Sequence, residues 1–336
     1  MTSYFLGIDI GATKTHAIVA DETGRALGFA RTGPGNYQGV GYPGMVAALS
    51  AATTQALARA GLAMDQIAGA GFGIAGYDWP SQRPRMLTTI QQALELRAPV
   101  AIANDAVLGL LAGTEAGWGV ALVAGTSNNC RGRDRQGREG RITGDGSRFG
   151  EYGGAAEVAM KALHTVAAAW SRRGPATALS AALVAHLGAR DVDDLLEGLA
   201  LGRYRLGPDA APLVFQVAQA GDPVAQDVIA WAGHELGDLA VGVIRQLEFE
   251  RLTFDVVLVG SLFNGGAPFV EAVRRAIQAV APGAHLQRLT APPAVGAVLL
   301  GMERVGRNPA PARPTLVQTT TALLDPAYTA PLSAAG

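Results

Sequence analysis

The sequence contains a turn of small and hydroxylated residues that is suited to binding phosphate. Residues 7–15 read Gly-Ile-Asp-Ile-Gly-Ala-Thr-Lys-Thr, so an apolar run ends at a turn and a second run follows. Backbone N–H groups and the hydroxyls of Thr13 and Thr15 can donate to phosphate oxygens, and Asp9 can hold a hydrated Mg²⁺. Taken alone, the segment also fits an ordinary glycine-bearing hairpin.

A second turn repeats this design later in the chain. The apolar run of residues 119–124 leads into Gly-Thr-Ser-Asn-Asn-Cys at 125–130, and a hairpin turn follows at 134–137. Two such hairpins facing each other would hold a polyphosphate between them. Each could be a simple turn, but the repetition favours a phosphate-binding pair and indicates two related halves.

An acidic residue stands where a buried strand passes into a helix. The run Ile102-Ala103-Asn104-Asp105 puts Asp105 at the carboxyl end of a strand, where α/β sheets place their sites. We therefore consider Asp105 as a general base. The alternative is structural, because aspartate is a preferred N-cap of helices.

Two further segments combine glycine with polar side chains. Residues 143–154 are dense in glycine and include Asp145 and Glu151, so backbone can approach a ligand closely. The alternative is a surface loop in which Glu151 caps the following helix. Residues 256–261 form an apolar run ending in Gly260 and Ser261, which suits a flat adenine or a plain strand-to-helix turn.

The elements around these segments predict a mixed α/β fold. Strands are expected at 4–10, 16–20, 67–74, 100–103 and 256–260, a helix at 42–60, and an almost wholly helical region from 154 to 251. Strands followed by helices imply sheets covered by helices. We expect domains at 1–115, completed by a helix near 293–306, and at 116–292. Residues 307–336 are expected to form an extension or tail.

Composition excludes several classes of protein. The 336 residues are 49% hydrophobic, and 27 basic against 28 acidic residues give a net charge of −1 without a basic patch, so no nucleic-acid partner is expected. The single cysteine, Cys130, forbids an internal disulfide, and no histidine pair has metal-ligand spacing. Neither a signal peptide nor a membrane span is indicated, and we expect a cytoplasmic protein.

One motif is misleading. Residues 71–76 read Gly-Phe-Gly-Ile-Ala-Gly, which matches the dinucleotide pattern, but the chain continues as Tyr-Asp-Trp-Pro. Without a helix there is no helix N-terminus for a pyrophosphate, so a Rossmann oxidoreductase is not favoured.

In this order, the segments resemble the five motifs of the actin-like ATPase superfamily, which includes sugar kinases. The first phosphate motif lies at 7–15, the first connecting motif at 102–111, the second phosphate motif at 120–130, the adenosine motif at 256–262 and the second connecting motif at 293–301. Within the superfamily, residues 125–130 and the Gly33-Pro34-Gly35-Asn36 turn are similar to the N-acetylglucosamine kinase branch and its BadF/BadG/BcrA/BcrD ATPase relatives.

The resemblance implies two ribonuclease-H-like domains around an interdomain cleft and a kinase that uses ATP and Mg²⁺, with a small-molecule sugar as partner and a homodimer as assembly. It implies Asp105 as the catalytic base. The residues implied for ATP, with Asp9 also for Mg²⁺ through water, are Asp9, Gly11, Thr13, Lys14, Thr15, Gly125, Thr126, Ser127, Gly260 and Ser261. Those implied for the sugar are Asn36, Gly76, Asn128, Asn129, Gly144 and Asp145.

Departures from the family pattern leave the acceptor open. The branch usually shows Gly-Asp-Glu-Gly-Ser where this chain has Gly144-Asp145-Gly146-Ser147. The expected reaction is phosphorylation of N-acetylglucosamine at the 6-hydroxyl, and a glucosamine or muramyl-sugar kinase is an alternative. Another alternative is an ATP-driven conformational switch without a sugar acceptor, and a third is a non-catalytic sugar sensor. The lone Cys130 disfavours zinc-containing kinases of the ROK type and activators that bridge an iron–sulfur cluster.

Overall fold

The computed structural model describes residues 2–324, which form two compact units. Within the described residues, the first unit comprises 2–119, 133–137 and 287–324, and the second comprises 120–132 and 138–286. The strands are β1 (Tyr4–Ile10), β2 (Thr15–Asp21), β3 (Ala26–Thr32), β4 (Ile67–Ile74), β5 (Val100–Asn104), β6 (Gly119–Ala124), β7 (Asn128–Arg133), β8 (Glu139–Arg141), β9 (Phe254–Val259) and β10 (Ala284–Arg288). The helices are α1 (Tyr37–Ala60), α2 (Arg83–Leu94), α3 (Asp105–Gly113), α4 (Ala155–Trp170), α5 (Leu179–Leu187), α6 (Val192–Ala200), α7 (Ala211–Gln219), α8 (Pro223–Leu247), α9 (Ala267–Val280), α10 (Pro293–Arg304) and α11 (Arg313–Leu323).

The sheet of the first unit has the strand order β3-β2-β1-β4-β5. Strands β1, β2 and β3 form an antiparallel meander, and β1, β4 and β5 run parallel. Alternation along β1 points Leu6, Ile8 and Ile10 into one buried cluster with α1 and α2, while Phe5 packs on the opposite face with α10. Asp9 therefore shares the face of Phe5.

Helix α10 packs directly on the backbone of this sheet. A Cβ atom at Gly7 would overlap the backbone nitrogen of Val298, and one at Gly71 would overlap the carbonyl oxygen of Ala297. Glycine at both positions lets the helix approach the strands closely. The expected helix near 293–306 thus lies on the first sheet, although the predicted division into domains stays a prediction.

The sheet of the second unit has the order β10-β9-β6-β7-β8, with β9 parallel to β6. Helices α4 to α8 supply the helical region that the sequence predicts from 154 to 251, and α8 is its longest member at 25 residues. Its buried side recurs at helical spacing, for example at Val228, Ala232 and Leu236, which is why one amphipathic helix can pack along the unit.

Four elements differ from the sequence-based expectation. Helix α1 begins at Tyr37 rather than at residue 42, because Gly41 has a positive φ of 69° that kinks the helix just before Pro43 and breaks its periodicity. Helix α2 and strand β10 were not expected. Residues 313–323 of the expected tail form α11, in which Leu316 is buried, and residues 325–336 of that segment lie outside the described residues.

Candidate active site

Three parallel strands end in register at one edge of the first sheet. Ile10 of β1 lies opposite Ile74 of β4, and Ile74 lies opposite Asn104 of β5. The residues that follow these strands include Gly11, Gly76 and Asp105, so topology alone brings these predicted site residues to the same edge.

Hydrogen bonds tie the first phosphate turn to the Asn36 turn. The Gly11 carbonyl oxygen accepts from the backbone N–H groups of Gly35 (3.0 Å) and Asn36 (3.1 Å). The hydroxyl of Tyr37 then donates to the carbonyl oxygen of Gly76 at 2.9 Å. The predicted sugar residues Asn36 and Gly76 therefore lie beside the turn that is predicted to bind phosphate.

Asn36 also starts helix α1. Its side-chain oxygen accepts from the backbone N–H of Gln38 at 3.0 Å, which makes it the N-cap. The cap fixes the orientation of the carboxamide, so one polar atom is committed to the fold. Contact between Asn36 and a sugar stays a prediction.

The cap of helix α3 is Asn104, and Asp105 is the first residue of the helix. The side-chain oxygen of Asn104 accepts from the N–H of Ala106 at 3.0 Å, and its Nδ2 donates to Asp78 Oδ1 at 3.0 Å. Asp105 Oδ1 also accepts from Ala106 at 3.0 Å. Since Asn104 already caps the helix, the N-cap role does not by itself account for a carboxylate at position 105.

Two carboxylates influence each other at this edge. Burial and then the charge of Asp105 raise the pKa of Asp9 to about 7, against the opposing charge of Lys14. Burial and the charge of Arg31 lower the pKa of Lys14 below its usual value, and the charge of Asp9 offsets this only in part. The edge thus combines two acidic groups with a cation, a composition suited to proton transfer and to binding a charged phosphate ester.

The second phosphate turn is built on the N-terminus of α4. Gly125 donates to the carbonyl oxygen of Ser127 at 2.9 Å, which closes the turn and leaves Thr126 and Ser127 exposed. The N–H of Ala155 donates to the Gly125 carbonyl oxygen at 2.9 Å, and Ala156 donates to that of Thr126 at 3.3 Å. The exposed hydroxyls are therefore presented beside a helix N-terminus, which favours negative charge.

Gly260 meets the second phosphate turn within the second unit. It has a φ of 110°, and a Cβ at this position would overlap the carbonyl oxygen of Ala124, the last residue of β6. This close approach places Gly260 and Ser261 next to Gly125. The structure thus brings together the residues that the sequence predicts for phosphate and adenosine in this unit.

A buried glutamate organises the glycine-rich loop. The carboxylate of Glu151, 6% exposed, accepts from the backbone N–H groups of Thr143 at 2.6 Å and Gly144 at 2.9 Å. The carbonyl oxygen of Glu151 accepts from Asn128 Nδ2 at 3.2 Å, which links the loop to β7. The alternative in which Glu151 caps the following helix is wrong, because Glu157 accepts from Gly154 N–H at 3.0 Å and fills that role.

The remaining predicted residues differ in exposure. Asp145 is exposed and lies 3.7 Å from the guanidinium of Arg148. Asn129 is partly buried, and its side-chain oxygen accepts from the N–H of Cys130 at 2.8 Å. Thr15 in β2 is fully buried, and Asn128 in β7 is 5% exposed. Contacts of these side chains with ATP or sugar stay predictions, as do those of all the site residues.

Sequence reasoning missed several residues that shape the site. Gln82 donates from Nε2 to the Tyr37 hydroxyl at 2.7 Å, and its side-chain oxygen accepts from the N–H groups of Asp78 and Trp79. No local sequence pattern identifies Gln82 or Tyr37. The N-cap role of Asn104 could have been predicted from its residue type, because asparagine is as common an N-cap as aspartate.

Two features are absent from the described residues, a cluster of metal ligands and a membrane-spanning helix. Within residues 2–324, no group of three or more histidine, cysteine, aspartate or glutamate side chains is arranged to hold a metal. No helix in the same part of the chain combines the length and apolar character needed to cross a bilayer.

The fold is that of the actin-like ATPases that include sugar kinases, as predicted. The structure is similar to that of a candidate N-acetylglucosamine kinase from Chromobacterium violaceum, with a TM-score of 0.68 and 23% sequence identity over 89% of this chain and 98% of that one. At this identity, the likeness concerns the fold.

The family follows from the sequence. Residues 6–301 match the model of the BadF/BadG/BcrA/BcrD ATPase family, and the chain belongs to that family. It is 26% identical to N-acetyl-D-glucosamine kinase from Dictyostelium discoideum, over 89% of this chain and 97% of the relative. It is 23% identical to N-acetylmuramic acid/N-acetylglucosamine kinase from Clostridium acetobutylicum, over 88% and 97%.

Proposed function

We propose that this protein is an ATP-dependent kinase of an amino sugar, and specifically that it phosphorylates N-acetylglucosamine at the 6-hydroxyl. Kinases of amino sugars are among its relatives, and the alignments with two of them extend over nearly their whole length. The family is one of ATPases, which supports ATP as the phosphoryl donor. The cytoplasmic location and the homodimer stay predictions.

The observation that carries the proposal is the pair formed by Asp9 and Asp105 at the edge of the first sheet. Phosphoryl transfer to an alcohol needs a group that accepts the hydroxyl proton and groups that bind the charged donor. Asp105 stands at the end of a parallel strand on a helix start that Asn104 caps, so its backbone is held firmly. The charge of Asp105 raises the pKa of Asp9, so the two carboxylates interact electrostatically.

In the proposed reaction, the carboxylate of Asp105 accepts the proton of the sugar hydroxyl while the hydroxyl oxygen attacks the γ-phosphorus of ATP. The bond from the γ-phosphorus to the β–γ bridging oxygen breaks, and ADP leaves. Thr13 and Lys14 bind phosphate oxygens from the first turn. Thr126 and Ser127 bind phosphate oxygens from the second turn, beside the N-terminus of α4.

The residues present fit a magnesium ion held largely by water and substrate. Carboxylate oxygens are the ligands Mg²⁺ prefers, and it commonly takes one or two of them together with phosphates. The pKa of Asp9 is raised partly by a neighbouring negative charge, and a divalent cation would offset that repulsion. Asp9 would therefore hold Mg²⁺ through water, and the ion would supply neutralisation of phosphate charge.

A sugar-dependent assay of ADP release tests the proposal. The full chain is incubated with Mg-ATP and, in turn, N-acetylglucosamine, glucosamine, N-acetylmannosamine, glucose and N-acetylmuramic acid. We expect strong stimulation by N-acetylglucosamine and a product phosphorylated on the 6-hydroxyl by NMR. ATP hydrolysis at one rate with every sugar would contradict the proposal and favour a conformational switch, whereas stimulation by another sugar would correct the acceptor.

A further inference from the structure

A second pocket lies wholly within the second unit, beside helix α4. It has a volume of about 460 Å³, and its wall includes Tyr152, Glu157, Lys161, His164, Trp231 and Glu235. None of the residues predicted for ATP or for the phosphorylated sugar lines it. The volume falls in the range of small-molecule sites, which are commonly lined by aromatic side chains with a few polar groups.

Two aromatic rings form one side of this pocket. The ring centroids of Tyr152 and Trp231 are 5.9 Å apart and their planes are inclined by 46°. Both side chains are partly exposed. The loop and helix α8 approach each other closely here, because a Cβ at Gly153 would overlap the carbonyl oxygen of Ala232 in α8. Close backbone packing thus brings the two rings together while both side chains stay partly exposed.

The polar side of the pocket carries both signs of charge. Lys161 Nζ lies 4.8 Å from the ring centroid of Trp231, a cation–π contact that positions the ammonium group. The carboxylates of Glu157 and Glu235 also line the pocket. Two carboxylates against one ammonium do not favour an anion such as phosphate, and they do not favour a purely apolar ligand.

Aromatic rings next to mixed hydrogen-bonding groups suit one class of ligand. A pyranose has apolar C–H faces that can pack on the electron-rich faces of aromatic rings. Its hydroxyls both donate and accept, so they can pair with carboxylates and an ammonium group together. We propose that this pocket is a second pyranose-binding site, distinct from the residues proposed for phosphoryl transfer. The proposal does not require that the protein be a kinase.

Counting sugar sites on the full chain tests this inference. Isothermal titration with N-acetylglucosamine, without nucleotide, is expected to give two sites per chain. Trp231→Ala should leave one site, and Lys161→Gln should weaken the affected site by about tenfold, the change expected from losing one positioned polar contact. Trp170→Ala is the matched control, because Trp170 is 55% exposed on the same unit and outside the pocket.

A spectroscopic experiment assigns the second site to Trp231. In a variant with Trp79, Trp118 and Trp170 replaced by phenylalanine, Trp231 is the remaining indole, and its fluorescence should change on titration with N-acetylglucosamine. Glu235→Gln in that background should shift the titration to higher sugar concentration. The response should persist in Asn36→Ala, which removes a residue proposed for the other sugar site.

Several results would overturn the inference. These are one sugar site in the native chain that Trp231→Ala leaves intact, unchanged Trp231 fluorescence, or binding of neither N-acetylglucosamine nor glucose at this pocket. Failure of the kinase proposal is read separately, from sugar-dependent ADP release. We expect Trp231→Ala to retain that release, since Trp231 has no proposed role in the reaction.

Discussion

The two phosphate turns share a strand-turn-strand plan but differ in what surrounds them. In the first unit, the turn after β1 stands next to Asp9, Lys14 and Asp105, which act on each other electrostatically. In the second unit, the turn after β6 contains residues 125–129 without any ionisable side chain. It is joined instead to the start of α4 by backbone hydrogen bonds and backed by the buried Glu151.

The difference indicates a division of roles. The first turn carries the groups that we propose change protonation and bind a charged phosphate, so substitutions there should change rate and pH dependence. The second turn depends on fixed backbone geometry, so substitutions behind it should change stability and affinity. The same strand-turn-strand element therefore occurs twice, but only the first of the two turns carries an ionisable side chain.

The largest effect is expected from Asp105→Asn. Asparagine keeps the size of the side chain but accepts no proton, and general-base catalysis contributes about 10²–10⁴-fold to rate. We expect kcat for sugar phosphorylation to fall by that factor while ATP binding changes little. The measurement is steady-state ADP release together with a nucleotide-binding titration.

The control for this substitution is Asp65→Asn, because Asp65 is exposed on a short 3₁₀ turn in the same unit. Its kcat should match that of the native chain. A near-native kcat in Asp105→Asn would remove Asp105 from the role of base, and an equal loss in both variants would point to general destabilisation.

Glu151→Gln should chiefly lower stability. Its carboxylate accepts from two backbone N–H groups, and glutamine would present an N–H₂ group to one of them. Leaving a buried donor unsatisfied costs about 2 kcal/mol. Chemical denaturation followed by tryptophan fluorescence should show this decrease in the free energy of unfolding, with a raised KM for sugar.

Glu139→Gln provides the comparison for Glu151, because Glu139 is exposed on β8 of the same unit. Exposed substitutions of this kind usually change stability by less than about 0.5 kcal/mol. Equal stability of the two variants would show that Glu151 does not organise the loop.

Much of the first unit could be predicted from sequence because its signals are local. The apolar run before Asp9, the turn at Gly11 and the strand before Asp105 each identify an element and a site residue within a few positions. The resemblance to actin-like ATPases then supplied the topology that places them at one edge. The start of α1 was predicted too late, because the kink at Gly41 interrupts the helical pattern.

The organisation of the second unit could not be read from local sequence to the same degree. Glu151 is close in sequence to the helix it was considered to cap, yet its carboxylate bonds to Thr143 and Gly144 in the preceding loop. Only tertiary structure decides between these acceptor positions. The contact between Tyr152 and Trp231 joins positions far apart in sequence, and no sequence periodicity predicts it.

Asp9→Asn should remove a pH dependence of stability that belongs to the first turn. The pKa of Asp9 is raised from 3.8 to about 7, so the native chain keeps a proton there that the unfolded chain releases. Stability from this group is fully present below about pH 4 and is lost as pH rises towards 7. In EDTA and without nucleotide, the variant should gain on the order of 2–3 kcal/mol over the native chain between pH 5 and pH 8.

Asp65→Asn again serves as the control, because Asp65 is exposed and lies outside the first turn. A difference between Asp9→Asn and the native chain that stays constant from pH 5 to pH 8 would show that Asp9 ionises normally in the folded protein.

The smallest effects are expected from removing one hydroxyl in each turn. Thr13 and Thr126 are both exposed at the tips of their turns, and each is proposed to donate one hydrogen bond to an ATP phosphate. Loss of a hydrogen bond to a charged group costs about 1.5–3 kcal/mol at most, and neighbouring backbone donors should compensate in part. Thr13→Ala and Thr126→Ala should therefore each raise KM for ATP by roughly 3–10-fold. Replacement by serine should restore the native value, because the hydroxyl is retained.

The double variant Thr13→Ala/Thr126→Ala compares the two turns directly, through a double-mutant cycle. If both hydroxyls bind the same ATP, the two losses should combine to lower affinity for ATP, whereas a change in only one variant would show that the repeated plan serves phosphate in one turn alone.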